Sequence, residues 1–274
     1  MFQSIARLFG RPKKVFTEYA FKQVDFALRD DGVVQYAQWL HPGEFGNEVR
    51  QEHVDFFRRY VKRGDFAIDI GANEGDTTVP MALAAGREGL TLALEPNPHV
   101  FRVLEANAAL NTDKTRIVPL NFAATADDGE FTFGSGDPSY GNGGIVGFTH
   151  NKPRNTRYTF RVTGRHLPRY LAAHHADALS KLTFIKIDTE GYDKEIVKSM
   201  SDLIATYRPT LVVECFGSSL PAEKLELYDV IARHGYTLAW LDDFVLSKHV
   251  PMERHAVVVK QTRNILALPS ETVR

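Results

Sequence analysis

Cysteine, long apolar runs and excess charge are all scarce in this sequence. Cys215 is the only cysteine among 274 residues, so the chain can form neither an intramolecular disulfide nor a cysteine zinc site, and we expect a reducing, cytoplasmic setting. No apolar run reaches the roughly 18 residues of a membrane-spanning helix. The 33 Lys and Arg residues are matched by 34 Asp and Glu residues. A chain without a basic field is not expected to bind nucleic acid.

The overall composition is typical of a globular protein. Hydrophobic residues make up 43% of the chain and charged residues 24%, which argues against long disordered, collagen-like or coiled-coil segments. The length suits one large domain or two small ones. Residues 1–14 are basic and amphipathic but lack the apolar stretch of a secretory signal. There we favour a helix docked on its own domain over peripheral contact with a membrane surface.

Residues 1–64 are predicted to form an N-terminal appendage made of a hairpin and a helix. Apolar and polar residues alternate on both sides of an Asp31-Gly32 turn, which is the pattern of a hairpin. Asn47 is the predicted N-cap of the helix that follows. We expect this appendage to cap the acceptor side of the main domain, which we assign to residues 65–274.

From Phe66 onwards, short apolar segments alternate with helical segments. The apolar segments are FAIDI, LTLALE, RIVPLN, LTFIKID, TLVVEC and YTLAWL, and helices are predicted at 77–85, 98–110, 193–207 and 222–234. This alternation predicts a doubly wound α/β domain, in which helices cover both faces of a mostly parallel sheet. An extra strand is predicted at 130–133. The glycine-rich stretch at 134–148 is either a flexible loop or a mobile lid over a ligand crevice.

The carboxyl ends of the predicted strands are unusually polar, and ligands of an open parallel sheet bind beyond these ends. The first strand runs into DIGANEGD at 69–76, where glycines allow a sharp turn before a helix N-terminus. Glu95 ends the second strand about 20 residues after Gly75, where a carboxylate can accept both hydroxyls of a ribose. Together these features predict a nucleoside cofactor.

The details of this turn favour S-adenosylmethionine over a dinucleotide. Asn73 stands where a dinucleotide fingerprint has its middle glycine, and the chain has no phosphate-loop motif. Three nearby carboxylates would repel a pyrophosphate but suit an ammonium and a sulfonium. A plain strand-to-helix turn is the alternative interpretation. The predicted cofactor-binding residues, of which Asn121 and Ala123 would flank the adenine, are Asp69, Gly71, Asn73, Gly75, Asp76, Thr77, Glu95, Asn121, Ala123 and Asp188.

Ionisable residues also end the fourth predicted strand, which lies centrally in the sheet. Lys186, Asp188 and Glu190 alternate, so a continuous strand would place all three on one side. Buried charges are costly unless they are paired or functional, so these residues are either a self-satisfied ion pair or the predicted catalytic residues. With Glu214 at the end of the fifth strand, Asp188 and Glu190 could also hold Mg²⁺. We favour a site without metal, because the spacing does not fix octahedral geometry.

Five segments of the chain together carry a resemblance to a known family. They are FAIDIGANEGDTT at 66–78, LALEPNP at 92–98, FIKIDTEGYDKEIVKSM at 184–200, RPTLVVEC at 208–215 and NILALP near the end. These segments resemble the FkbM-type S-adenosylmethionine-dependent methyltransferases over about residues 66–269. The resemblance implies a class I methyltransferase sheet of seven strands with a final antiparallel strand. It also implies O-methylation of a hydroxyl on a sugar, glycan or polyketide-like metabolite.

For methyl transfer to a hydroxyl, Asp188 and Glu190 are the predicted base or acceptor-orienting groups. Lys186 is predicted to fix their ionisation or to stabilise a developing alkoxide. The alternative functions are an NAD-type oxidoreductase and a cofactor-binding module without activity. We expect a small-molecule or saccharide acceptor, and the sequence leaves open whether the chain forms a homo-oligomer.

Overall fold

The computed structural model describes residues 15–43, 46–137, 139, 143–147, 158–246 and 249–272. The predicted amphipathic segment at 1–14 and parts of the stretch at 134–148 lie outside these residues. The described strands are β1 (Phe21–Leu28), β2 (Gly32–Trp39), β3 (Phe66–Ile70), β4 (Leu90–Leu94), β5 (Ile117–Leu120), β6 (Ala123–Thr125), β7 (Gly129–Ser135), β8 (Gly143–Ile145), β9 (Tyr158–His166), β10 (Leu182–Ile187), β11 (Thr210–Cys215), β12 (Tyr236–Leu241) and β13 (Arg263–Pro269). The described α-helices are α1 (Gln51–Tyr60), α2 (Thr78–Ala85), α3 (Pro98–Ala109), α4 (Leu167–His174), α5 (Asp193–Ser199), α6 (Ser201–Tyr207) and α7 (Pro221–Ala232). None of these helices is long and apolar enough to cross a membrane.

Seven of the described strands form the main sheet, in the order β12-β13-β11-β10-β3-β4-β5. β13 runs antiparallel to both of its neighbours, while the adjacent pairs from β11 through β5 are parallel. The predicted seven-stranded α/β sheet is therefore confirmed as a mixed sheet with one antiparallel strand. Every residue of β3 and β4 is buried. Apart from Asp69 and Thr91, the residues of these two strands are apolar, because a parallel sheet is covered on both faces.

Successive side chains of the central strands point into hydrophobic layers on opposite faces of the sheet. Ile68 and Ile70 belong to the larger layer, which also contains apolar residues of α4, α5, α6 and α7. Ala67 belongs to the other layer, where Phe57 of α1 and Met81 of α2 pack. The helices on both faces hold β3 and β10 at the centre of the fold, so the carboxyl ends of these two strands are fixed from both sides.

Two helix predictions need correction. The single helix predicted at 193–207 is divided into α5 and α6, with Met200 between them. The Ser199 hydroxyl donates to the Ile196 carbonyl at 2.8 Å, and such local side-chain bonds compete with the helical pattern. Asn47 does not cap α1, which begins at Gln51. The Asn47 side chain instead donates to Glu74 in the turn after β3.

The N-terminal hairpin of β1 and β2 packs against the main domain through α3. Asn107 of α3 accepts from the Ala37 amide at 2.6 Å and donates to the Ala37 carbonyl at 3.1 Å. The same Asn107 amide group donates to the Glu74 carbonyl at 2.8 Å. One buried side chain therefore ties the hairpin, α3 and the turn after β3 together. That residues 1–64 cap the acceptor side of the main domain stays a prediction.

A smaller sheet with the strand order β6-β9-β7-β8 follows β5 in the chain. The extra strand predicted at 130–133 is longer than expected and spans Gly129–Ser135. Within the described part of the stretch at 134–148, Gly143–Ile145 pairs with β7 as a strand. A Cβ on Gly143 would lie 2.5 Å from the Gly134 carbonyl oxygen, so these glycines allow two strands to approach closely.

Candidate functional site

A cavity lies at the carboxyl ends of β3, β4 and β10, with β8 at its edge. Its volume is about 800 Å³, including the part open to solvent. We call it the strand-end cavity. The residues that line it are Ile70, Gly71, Asn73, Leu94, Glu95, Pro96, Phe122, Ala123, Ala124, Phe133, Gly143, Gly144, Ile145, Asp188, Thr189, Glu190 and Tyr192.

Gly71 brings the loops after β3 and β10 into contact at one wall of this cavity. Its φ is +75°, and a Cβ at this position would lie 1.8 Å from the Asp188 carbonyl oxygen. The Gly71 and Ala72 amides both donate to the Leu94 carbonyl, at 3.0 and 2.9 Å. A side chain at position 71 would push these loops apart, so only glycine allows this close approach.

Glu95 joins the loops after β3 and β4 and is the buried acid of the cavity wall. Its Oε2 accepts from the Asn73 amide at 3.1 Å, and its Oε1 accepts from the Asn97 amide at 2.8 Å. Glu95 is only 5% exposed, and burial raises the pKa of its carboxyl to about 7. Each oxygen keeps a further lone pair for a ligand hydroxyl.

Asn73 adds an acceptor without a partner. Its backbone is left-handed, with φ at 48°, a conformation that asparagine tolerates better than most residues. The Asn73 Oδ1 atom is buried and has no hydrogen-bond partner among the described residues. A buried acceptor without a partner is costly, so this atom indicates a place where a ligand donor would bind.

Apolar side chains form the remaining wall of the cavity. Phe122 lies between β5 and β6, and Phe133 and Ile145 lie in β7 and β8 of the smaller sheet. A Cβ on Gly144 would lie 3.1 Å from the Thr189 carbonyl oxygen, so β8 runs close to the loop after β10. None of the described residues that line the cavity is Lys, Arg or His. The site therefore offers an apolar slot with hydrogen-bond acceptors and has no cation to bind a phosphate.

The predicted continuous strand through Lys186, Asp188 and Glu190 is wrong, because β10 ends at Ile187. Asp188 follows directly and still hydrogen-bonds to β3, because its amide donates to the Ile70 carbonyl at 3.0 Å. Glu190 then adopts a left-handed backbone, with φ at 57°. The turn is nevertheless ordered so that Asp188 and Glu190 both reach the strand-end cavity.

Asp193, the first residue of α5, holds this turn in place. Its carboxylate accepts from the Thr189 amide at 2.9 Å and from the Gly191 amide at 3.0 Å. The Glu190 amide donates to Glu214 Oε2 at 3.0 Å. Burial, followed by the nearby Asp188 charge, raises the pKa of both Glu190 and Asp193 to about 7. The same causes raise the pKa of Glu214 well above its ordinary value.

Lys186 does not line the cavity but lies behind it. Its Nζ is 3.2 Å from Asp69 Oδ1, 3.5 Å from Asp188 Oδ2 and 3.3 Å from the Gly71 carbonyl oxygen. Burial alone lowers the pKa of Lys186, but the charges of Asp69, Asp188 and Asp76 more than offset this and raise it. The lysine is therefore a permanent cation that joins the loops after β3 and β10.

Half of the predicted cofactor-binding residues line the cavity and half do not. Those that line it are Gly71, Asn73, Glu95, Ala123 and Asp188, and those that do not are Asp69, Gly75, Asp76, Thr77 and Asn121. Asp69 is fully buried and accepts from the Thr77 and Thr78 hydroxyls at 2.8 and 2.7 Å. Thr77 and Asp76 line a different cleft beside α1. Their predicted contact with a cofactor stays a prediction.

The other two residues outside the cavity shape its loops. Gly75 has φ at +101°, and a Cβ there would lie 3.1 Å from Leu104 Cδ1, so it allows the turn to pack on α3. The Asn121 side chain donates to the Glu95 carbonyl at 2.8 Å. It therefore holds the loop after β4 and does not line the slot.

A metal site formed by Asp188, Glu190 and Glu214 is not assembled. Across the described residues, no group of three or more His, Cys, Asp and Glu is arranged to hold a metal ion. Glu214 Oε2 is instead bonded to the Glu190 backbone amide.

Sequence reasoning missed the apolar wall. Phe122 lies directly between the predicted cofactor-binding residues Asn121 and Ala123, and this position was the signal by which it could have been found. Phe133 and Ile145 are paired across β7 and β8. No local pattern shows that this pair belongs to the cavity, because the contact depends on how the smaller sheet packs.

A comparison with models of protein families finds one matching family. Residues 69–238 match the model of the methyltransferase FkbM domain. A search of curated proteins finds no match. Among solved structures, a methyltransferase FkbM from Methylobacillus flagellatus is 13% identical, with 78% of this chain and 50% of that chain covered and a TM-score of 0.45. The chain thus spans half the length of that structure.

Two further solved structures are similar at low identity. An S-adenosylmethionine-dependent O-methyltransferase from Thermotoga maritima is 13% identical, with 81% of this chain and 66% of that chain covered and a TM-score of 0.39. Aeropyrum pernix fibrillarin in complex with S-adenosylmethionine is 10% identical, with 93% and 99% covered and a TM-score of 0.43.

Proposed function

The chain belongs to the FkbM methyltransferase family, and from this premise we propose that it transfers a methyl group from S-adenosylmethionine to a hydroxyl of a small-molecule or saccharide acceptor. The strand order of the main sheet supports this proposal, since the antiparallel β13 lies between β11 and β12, as in the class I sheet that the family resemblance implies. When bound, S-adenosylmethionine supplies an electrophilic methyl group.

The strand-end cavity fits this cofactor by the chemistry of its lining, and the single observation that carries the proposal is the unpartnered Asn73 Oδ1 beside Glu95. Glu95 would hold the ribose hydroxyls, because a carboxylate can accept from both. Asn73 Oδ1 and Asp188 supply further acceptors for donors such as an ammonium. Phe122 and Phe133 would cover the adenine. The acceptor-rich, cation-free lining disfavours a pyrophosphate, which is the specific argument against an NAD-type oxidoreductase.

Asp188 and Glu190 are the proposed base or acceptor-orienting residues. Both line the cavity at the loop after β10, where an acceptor hydroxyl must approach the methyl group. The pKa of Glu190 is raised to about 7, chiefly by burial, which suits a group that takes up a proton near neutral pH. A general base of this kind contributes about 10²- to 10⁴-fold to a rate. Lys186 is a positioning residue, because it contacts Asp188 and not the cavity.

The finer parts of the proposal concern the acceptor and the setting. The family resemblance implies that the methylated group is a hydroxyl of a sugar, glycan or polyketide-like compound. The hydrogen-bond acceptors in the loop after β10 suit such a hydroxyl, because it can donate to them. A nucleic-acid acceptor is disfavoured by the near-equal numbers of basic and acidic residues. A cytoplasmic setting, a homo-oligomer and the division at residue 64 stay predictions.

A transfer assay tests the proposal. Tritiated S-adenosylmethionine would be incubated with the chain and a panel of sugars and polyketide-like alcohols, and ether-linked label would be measured. We expect transfer by the unchanged chain and, at saturating S-adenosylmethionine, a loss of about 10²-fold or more in Asp188→Asn. Asp177→Asn, in the turn after α4, is the control variant. Label found only on nitrogen, or an unaffected rate in Asp188→Asn, would contradict the proposal.

A further inference from the structure

A second concave surface adjoins the strand-end cavity, and Asp188 is part of both. Besides the cavity, Asp188 lines a cleft with Glu214, Asp242 and Arg263. Asp243, the residue that follows Asp242 in the chain, lines another cleft, between α1 and the start of α2. Together we call these two clefts the acceptor-side groove. An acceptor in this groove would meet the cavity at Asp188.

The basic side chains of the acceptor-side groove already have acidic partners. Arg50 Nη2 lies 3.3 Å from Asp243 Oδ2. Arg263 pairs with Asp242 and also stacks on the Trp240 ring, with its Cζ 4.5 Å from the ring centroid. No arginine or lysine among the described lining residues of the groove is left without an acidic partner. A phosphate or carboxylate of an acceptor would have to displace one of these pairs.

The acids of the groove outnumber its bases. Asp76 lines one of its two clefts and Asp188 lines the other, and Lys186 behind them interacts with both and with Asp69. One buried cation therefore faces three acids. Burial and then the Arg50 charge lower the pKa of His53, so this groove residue is neutral at neutral pH. The sum of these charges gives the groove a negative potential.

We propose that the acceptor-side groove binds the methyl acceptor, and that the part of the acceptor held there presents hydroxyl or amino groups and carries no phosphate or carboxylate. This inference rests on the proposed function and specifies its substrate class. Hydroxyl and ammonium groups can donate to Asp76, Asp188 and Asp243, whereas an anion would meet acceptors and a negative potential. The acceptor-side groove also offers an apolar contact in Phe244. The acceptor hydroxyl that donates to Asp188 would lie next to the strand-end cavity.

Thiol labelling with reagents of opposite charge tests the groove directly, because it needs no acceptor. Gln261 is an exposed, uncharged lining residue of the groove, and the native Cys215 is fully buried. Gln261→Cys would be labelled with a trimethylammonium methanethiosulfonate and with its sulfonate counterpart. Thr112→Cys, exposed between α3 and β5, is the matched control that normalises the intrinsic reactivity of the two reagents.

We expect the cationic-to-anionic rate ratio at Gln261→Cys to exceed that at Thr112→Cys on the order of ten-fold, and to approach it at high salt. An equal or reversed ratio would overturn the proposal.

In the tritium assay, each sugar would be offered as the neutral glycoside, the amine and the phosphate. We expect the phosphate to react slowest by about ten-fold or more, and a preference for the phosphate would also overturn the proposal. Failure of S-adenosylhomocysteine to bind the unchanged chain would overturn the proposed function instead, and the labelling ratio does not depend on that result.

Discussion

The strand-end cavity and the acceptor-side groove meet at Asp188 but are built in different ways. The cavity is formed largely by consecutive residues in the turns after β3, β4 and β10, and it has a glycine, a left-handed asparagine and an acceptor without a partner. The groove is formed by residues distant in the chain, from Gly46 to Asn264, and its two arginines are paired with acids. Pre-formed hydrogen-bond acceptors suit a ligand of fixed chemistry such as a cofactor. An open surface with more acids than bases suits a methyl acceptor that presents hydroxyl or amino groups.

The strongest test of this comparison is to remove the cation between the two regions. Lys186→Met leaves Asp69 and Asp188 without their shared partner, and breaking a buried pair costs about 3–5 kcal/mol. We expect that loss of unfolding free energy in urea. Asp69→Asn combined with Lys186→Met should recover part of the stability, because it removes one of the two uncompensated charges. Equal stability of Lys186→Met and the unchanged chain would show that the lysine is not needed.

A substitution at Gly71 sharpens the account of the cavity alone. Gly71→Ala adds a Cβ that would lie 1.8 Å from the Asp188 carbonyl oxygen. Gly64→Ala is the matched control, because Gly64 also has a positive φ, at 88°, but nothing lies within 4 Å of its Cβ position. We expect the control to lose about 1 kcal/mol of unfolding free energy and Gly71→Ala to lose about 1–3 kcal/mol more. Similar losses in the two variants would contradict the close approach.

Loss of the hydrogen-bond acceptor Asn73 Oδ1 should weaken cofactor binding without destabilising the fold. Asn73→Gly keeps the left-handed backbone and removes Oδ1, for which the described part of the chain offers no hydrogen-bond partner. We expect an S-adenosylhomocysteine affinity lower by on the order of ten-fold, with unfolding free energy within about 1 kcal/mol of the unchanged chain. Calorimetry and urea unfolding measure the two quantities. A variant that binds as well as the unchanged chain would remove Asn73 from the cofactor site.

The smallest effect expected is a pH dependence from Glu95. Its pKa is raised to about 7 by burial, so the carboxyl is protonated below that pH and accepts hydroxyl donors less well. Because a ligand that donates to the carboxylate binds the ionised form, S-adenosylhomocysteine affinity should rise with pH between 6 and 8, by about ten-fold. Glu95→Gln should bind more weakly throughout, since its amide cannot accept from both Asn73 and Asn97, and its profile should be flatter. An equally steep profile would assign the effect to another group.

The sequence predicted the central sheet and the glycine turn because both depend on local patterns. Continuous apolar segments such as FAIDI match β3 residue for residue, and Gly71, Asn73 and Glu95 reach the cavity as predicted. Asp69 and Asp76 were predicted beside them but lie elsewhere, because a side chain's direction depends on the turn that follows the strand. For Asp69 that direction is set by bonds to the Thr77 and Thr78 hydroxyls.

Features that depend on long-range packing could not be predicted. The end of β10 at Ile187 follows from the contact between Gly71 and Asp188, which are far apart in the chain. The apolar wall requires β8 to pack next to the loop after β10. The division of α5 from α6 was also missed, because 193–207 reads as one helix by periodicity. In each case a tertiary contact or a local side-chain bond decided between conformations that the sequence pattern alone does not separate.

Calorimetric titration with S-adenosylhomocysteine, beside NAD, tests the central claim that the strand-end cavity is a cofactor site. The variant is Glu95→Ala, and Asn121→Ala is its control, because Asn121 also bonds the loop after β4 but does not line the cavity. We predict one-site binding of S-adenosylhomocysteine that is lost in Glu95→Ala and kept in Asn121→Ala, with no binding of NAD. Binding of NAD, or S-adenosylhomocysteine affinity that is the same in Glu95→Ala and the unchanged chain, would contradict the account.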